Sequence, residues 1–218
     1  NFSNAFYDIL FSLGCDSLKK RFIEKSIQLI KSQRKLSNIE EKKMRYGLEA
    51  FYNFITKLLV LIILSIMFHL VLELFLLSLI YSTMRLYGFG LHAKTSLQCW
   101  ITTLPVYLGG CLLIKYLVIP NSISIIIWIF GFLSFLLFAP ADTPARPLIH
   151  QEKRIRAKVL SIFLLLVYLV LYIYDFHVLL NNTIIYALLM ESISINPLTY
   201  KITGTTFNNY KNFQKTMV

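Results

Sequence analysis

An all-α, polytopic membrane bundle is the fold class this sequence predicts: about six membrane helices preceded by an amphipathic N-terminal helix. Three observations predict it. The chain is 56% hydrophobic and only 15% charged, with mean hydropathy +0.63, whereas soluble domains run at about 45–50% and about 25%. Its 218 residues include only 8 Gly and 6 Pro, which excludes a collagenous or disordered chain, and the length excludes a large multidomain transporter. Its apolar residues fall into runs long enough to span a bilayer. The net charge of +11 fits cytoplasmic flanks facing an anionic inner leaflet, not nucleic acid.

Residues 1–50, read as a cytoplasmic or interfacial region, hold ten Lys/Arg and six Asp/Glu. From Leu18 to Leu36, Leu18, Phe22, Ile23, Ile27 and Ile30 return at three- and four-residue steps between lysines and an arginine, the pattern of a basic amphipathic helix. Such a helix either lies on the membrane surface, holding lipid or a peptide, or packs its apolar face on the membrane domain. A second helix start is read at Asn38, with Glu41 completing a capping box. No cleavable signal peptide is expected in the polar, basic first fifty residues, and the chain opens on Asn1 without a methionine.

The membrane region is expected over 51–195. Phe51 to Leu86 is apolar for 36 residues, too long for one span of about 20, so two short spans joined near His69 fit best. Further apolar runs cover roughly 98–118, 122–139, 157–175 and 177–194, with breaks at Pro120-Asn121 and Asp175-Phe176-His177. Six crossings bring both termini and the connections 85–100 and 140–158 to one side. That side collects the ten basic residues of 1–50, Arg85, Lys94, the five of 140–158 and the three of the tail 196–218. The positive-inside rule places it in the cytoplasm of a bacterial cell membrane.

Chemistry concentrates between Arg85 and Trp100. His92 and Cys99 are seven residues apart, which on a straight helix separates them by about 10 Å of rise, beyond hydrogen-bond reach of about 3 Å. A bend must intervene if they work together. Gly88 and Gly90 discourage a regular helix upstream, and Thr95 with Gln98 suggests a new helix start. Cys99 then lies in the first turns of that helix, where the N-terminal dipole and the candidate cations Lys94 and Arg85 favour a thiolate nucleophile. His92 is the candidate general base and acid. Helix-start amides, with Ser96 or Arg85, are candidates to hold an oxyanion. The bland alternative is a packing thiol and a solvated interfacial histidine. Cys15 and Cys111 lack a histidine in matching context. The cysteine spacing suggests neither a disulfide nor a zinc site, and no metal or cofactor is expected.

An Arg-x(4)-Gly-x-His-x(6)-Cys pattern falls on Arg85, Gly90, His92 and Cys99. A Met-Arg-Tyr-Gly-Leu-Glu approach to the first span falls on Met44 to Glu49, and an Ala-Pro-Ala-Asp-Thr-x-x-x-Pro signature on Ala139 to Pro147. With these three motifs in this order the chain resembles the AgrB family of membrane cysteine endopeptidases of Gram-positive peptide quorum sensing. The resemblance implies that His92 and Cys99 cut an AgrD-type propeptide at the junction with its acidic tail. A nucleophile within the signal segment then closes a thiolactone or lactone from the acyl-enzyme. It also implies a homodimer. Asp142 is expected to orient His92 or bind substrate, its alternative being a turn or cap role, with Glu73 a poorer candidate. A membrane peptide binder or exporter without chemistry is the rival reading.

Overall fold

The computed structural model describes residues 16–34, 37–91, 96–144 and 147–210. Helix α1 (Asp16–Gln33) buries Ile23 and Ile27, at 8% and 2% exposure, so the amphipathic stripe packs on protein. Its neighbour is α2 (Asn38–Met67), reached through the Phe22–Tyr52 ring contact at 5.6 Å and the Lys19–Glu49 and Lys31–Glu41 ion pairs, each 2.8 Å. The capping box that starts α2 is set one residue earlier than the sequence suggested. Ser37 is the N-cap and Glu40 its reciprocal partner, because the serine hydroxyl reaches the Glu40 N–H while the glutamate returns to Ser37.

The long apolar stretch breaks where its length demanded. Helix α2 ends at Met67, His69 takes a left-handed φ of 54°, and α3 (Val71–Gly88) returns. The next crossing is composite: α4 (Ser96–Leu104), a π-helical turn at Pro105–Gly109, and α5 (Gly110–Tyr116). Proline fits the start of the wider turn because it has no N–H to place in an α ladder. Helices α6 (Asn121–Phe138), α7 (Gln151–Ile173) and α8 (Val178–Ile195) follow, then the short α9 (Pro197–Ile202). Six helical stretches are long and apolar enough to cross a membrane. The fold is all-α, with one isolated bridge between Phe89 and Ala141 the extended pairing among the described residues.

Half of α8 is buried, against a third or less of every other span, which makes it the central post of the bundle. It packs mainly on α3 and α6. Gly131 of α6 permits a close approach, since a Cβ there would stand 2.6 Å from Leu188; small residues at such crossings let backbones meet in a medium that supplies no hydrophobic drive. Polar side chains of α8 serve carbonyls left free at irregular points. Asn182 donates to Ile114 O at 3.1 Å and Leu117 O at 2.9 Å, and Tyr186 donates to Val106 O at 2.7 Å. Side chains such as Phe75, Leu79, Ile126, Ile129, Phe163 and Val170 face outward and are exposed, as an apolar solvent requires.

The connections sort into two ends. At one, Lys115 of α5 pairs with Glu73 at 3.8 Å and donates to His69 O. At the other, the segments after α3, α6 and α8 meet.

Candidate active site

Arg85 organises the second end. It lies in the last turn of α3 and its guanidinium pairs with Glu191 Oε2 of α8 at 3.2 Å, with the carboxylate fully buried. The same guanidinium donates to Ser194 Oγ and to Leu91 O. Leu91 is held from its other side as well, because its N–H donates to Ser194 O at 3.1 Å. The residue immediately before His92 is therefore fixed through both its backbone groups. Gly90 makes this possible: its φ is +83°, and a Cβ would meet Arg85 Nη1 at 2.5 Å and Ser194 Oγ at 2.6 Å. Gly90 N–H also donates to Ala141 O at 2.8 Å while Ala141 N–H donates to Gly88 O at 3.0 Å, so the loop after α6 is laced to the loop after α3.

Cys99 sits in the opening turn of α4, half-buried. Its sulfur accepts from Lys57 Nζ of α2 at 2.6 Å, and Thr103 Oγ1 lies 4.0 Å away, one turn on. The neighbouring Trp100 packs with Val60 and Leu64 of α2, and Lys57 Nζ stands 5.9 Å from its ring. One side of the thiol is thus an ammonium on an apolar wall, where charge interactions are stronger than in water. Cys111 differs: it is fully buried in the main core.

Asp142 is fully buried, and its oxygens accept from Asn209 N and Tyr210 N at 3.0 Å each and from Leu148 N at 3.2 Å. Arg154 of α7 approaches the carboxylate to 3.6 Å and lies over the Tyr210 ring, 3.5 Å from its centroid. Tyr200 adds a further tie, its hydroxyl donating to Ala141 O at 3.0 Å. Burial pushes that phenol above its ordinary range, which keeps the proton available for donation. Asp142 thereby pins the chain after α9 beneath the loop after α6, a turn-anchoring role.

The family model described as Accessory gene regulator B matches residues 23–195, a stretch that contains Arg85, Gly90, His92, Cys99, Asp142 and Glu191. The chain belongs to the accessory gene regulator B family. A protein of Clostridium acetobutylicum described as AgrB-like is 31% identical over 206 residues, covering 94% of this chain and 98% of that one. An AgrB-like protein of Listeria innocua is 32% identical over 79% of this chain and 84% of its own length. The accessory gene regulator protein B of Staphylococcus carnosus is 28% identical over 66% and 75%. No solved structure matches the chain.

In this AgrB-family chain, the structure brings Arg85 and Gly90 together with residues of α8, and places Cys99 against α2. His92 and Lys94 lie outside the described residues, as do the Ser96 side chain, Thr95 and Cys15. Glu73 is at the opposite end, paired with Lys115. Three residues escaped the sequence reading: Lys57, Glu191 and Ser194. A signal for two of them was present, because Lys57 and Glu191 are isolated charges within apolar runs, and an intramembrane charge implies a partner.

Proposed function

We propose that this AgrB-family protein is a membrane-embedded cysteine endopeptidase that cuts the C-terminal tail from an AgrD-type propeptide and releases the remainder as a cyclic thiolactone or lactone. The observation that carries the reading is Cys99 in the opening turn of α4 with a cation on its sulfur, in a chain of this family. A thiol so placed is suited to act as a nucleophile. His92, seven residues upstream and directly after the clamped Leu91, is the general base at attack and the acid toward the leaving amine. Amides at the start of α4, with Ser96, hold the oxyanion. Arg85 and Gly90 set the loop from which His92 emerges, Lys94 adds positive charge, and Asp142 supports the same end of the bundle. No cofactor enters the reaction.

In this reading the end that carries the site, the basic N-terminal region and the residues around Arg154 faces the cytoplasm of a bacterial cell. Both termini lie there, against an anionic leaflet. Its positive charge suits an acidic substrate tail, and the family resemblance favours a homodimer. Shielding the acyl-enzyme from water is then as important as activating the thiol, since hydrolysis competes with ring closure.

Intact-mass spectrometry of the protein in nanodiscs, mixed with its cognate propeptide, tests the reading. The expected result is an adduct equal to the propeptide minus its tail, absent from Cys99→Ala and His92→Ala. Bound propeptide with neither adduct nor released tail would point instead to a non-catalytic peptide binder or exporter. Crosslinking in the same nanodiscs checks the dimer through a species of twice the monomer mass.

A further inference from the structure

We propose that Lys57 is a third catalytic residue, the counter-cation of the Cys99 thiolate. The inference rests on the cysteine peptidase reading and extends it.

Lys57 lies within the first crossing, where a charged side chain is costly to insert and is kept with a partner. Two other lysines of the spans meet oxygen. Lys115 pairs with Glu73 and donates to His69 O, and Lys158 donates to Leu136 O. Lys57 instead directs its ammonium to Cys99 Sγ at 2.6 Å, and among the described residues no carboxylate pairs with it. The two residues are 42 positions apart and come from different helices, so the meeting is a product of tertiary packing. Trp100, Val60 and Leu64 form the apolar wall beside the pair. That surrounding favours an ion pair over dispersal of the charge into solvent.

The chemistry explains why one cation would be used twice. In the first half-reaction His92 holds the proton taken from the Cys99 thiol; the Cys99 Sγ–C bond forms, the scissile C–N bond breaks, and His92 passes that proton to the departing amine of the tail. In the second, the propeptide's own thiol or hydroxyl gives its proton to His92 and bonds to the acyl carbon. The Sγ–C bond breaks, and its electron pair returns to Cys99 as thiolate. Lys57 stabilises the same anion first as nucleophile and then as leaving group. Thiols that are better stabilised as anions also leave faster.

Alkylation by iodoacetamide tests this without substrate. The full chain in nanodiscs is treated at pH 7 and pH 9, and adducts on Cys99 are separated from those on Cys15 and Cys111 by peptide mass spectrometry. An ordinary thiol reacts about 25-fold faster at pH 9 than at pH 7, following its thiolate fraction. For the wild-type protein the expected ratio is below about 5, rising to about 25 in Lys57→Met, on the same thiolate arithmetic. A wild-type ratio near 25 would overturn the proposal even if the variant failed to fold, and so would a low ratio shared by wild type and folded variant. Tail release from added propeptide reads the peptidase assignment separately. A low wild-type ratio with no released tail sinks that assignment while leaving the ion pair in place.

Discussion

The Arg85 guanidinium and the Glu191 carboxylate stand 3.2 Å apart across the α3–α8 interface, with Glu191 fully buried. This pair joins the last turn of α3 to the central helix. Removing one member leaves the other charge without compensation. Arg85→Met or Glu191→Leu is therefore expected to destabilise the protein by about 3–5 kcal/mol, and the double replacement by clearly less than the sum. Thermal unfolding in one detergent across all four proteins measures the coupling, and strictly additive losses would show that the pair does not act as a unit.

Gly90→Ala places a methyl group against Arg85 and Ser194 at a residue with φ of +83°. The expected cost is about 1–3 kcal/mol from backbone conformation, with steric displacement of the Arg85 guanidinium added. Tail release should fall at least about tenfold even in the folded fraction, because misplacement of a loop by about 1 Å carries such penalties. Unchanged tail release per folded molecule would show that the loop does not need this clamp.

The two described thiols should respond in opposite ways. Cys99→Ala leaves the Lys57 ammonium without its sulfur acceptor, costing about 1 kcal/mol, and should abolish product. Cys111→Ala opens a small gap in the main core, costing about 1 kcal/mol, and should retain product. Melting curves and tail release on the same preparations decide the matter; a product-competent Cys99→Ala protein would contradict the assignment.

Asp142→Asn puts an amide where three backbone N–H groups now find acceptor oxygens. Loss of charge-assisted bonds of this kind costs about 2 kcal/mol. The segment around Asn209 and Tyr210 should become sensitive to limited proteolysis, with cleavage ahead of Asn209 as the readout. If Asp142 acts mainly as this anchor, activity per folded molecule should survive; a selective loss of activity with the tail still protected would assign it to His92 or substrate.

At the start of α2, Ser37→Ala deletes the hydroxyl half of the capping box, with an expected cost of about 1 kcal/mol. Faster amide hydrogen exchange confined to residues 38–41 would register it, and unchanged exchange there would mean that docking of α1 alone holds the helix start.

Length and periodicity made much of this architecture legible. A 36-residue apolar run exceeds one crossing, so the reversal at His69 followed from bilayer thickness. The new helix around Cys99 followed from the glycines and polar residues before it. Cap position was ambiguous by one residue, because Ser37 and Asn38 are adjacent and both favour caps. The long-range partners were not legible at all. Arg85 meets Glu191 across 106 positions, Lys57 meets Cys99 across 42, and Asp142 meets Asn209 across 67. Local pattern can mark such a charge as unusual, but only packing selects its partner.

Closure of the loop end by α8 also has a consequence for biosynthesis. Cys99 leaves the ribosome well before Glu191 and Ser194, which fix Arg85 and Leu91, and before Tyr210, which completes the cage around Asp142. A nascent chain thus carries Cys99 for some time without the parts that fix the neighbouring loop. The last crossing works as a keystone, so that competence is acquired late and together with completion of the bundle. Fragments ending before Ser194 should insert Cys99 into the bilayer yet leave the loop after α3 without its clamp.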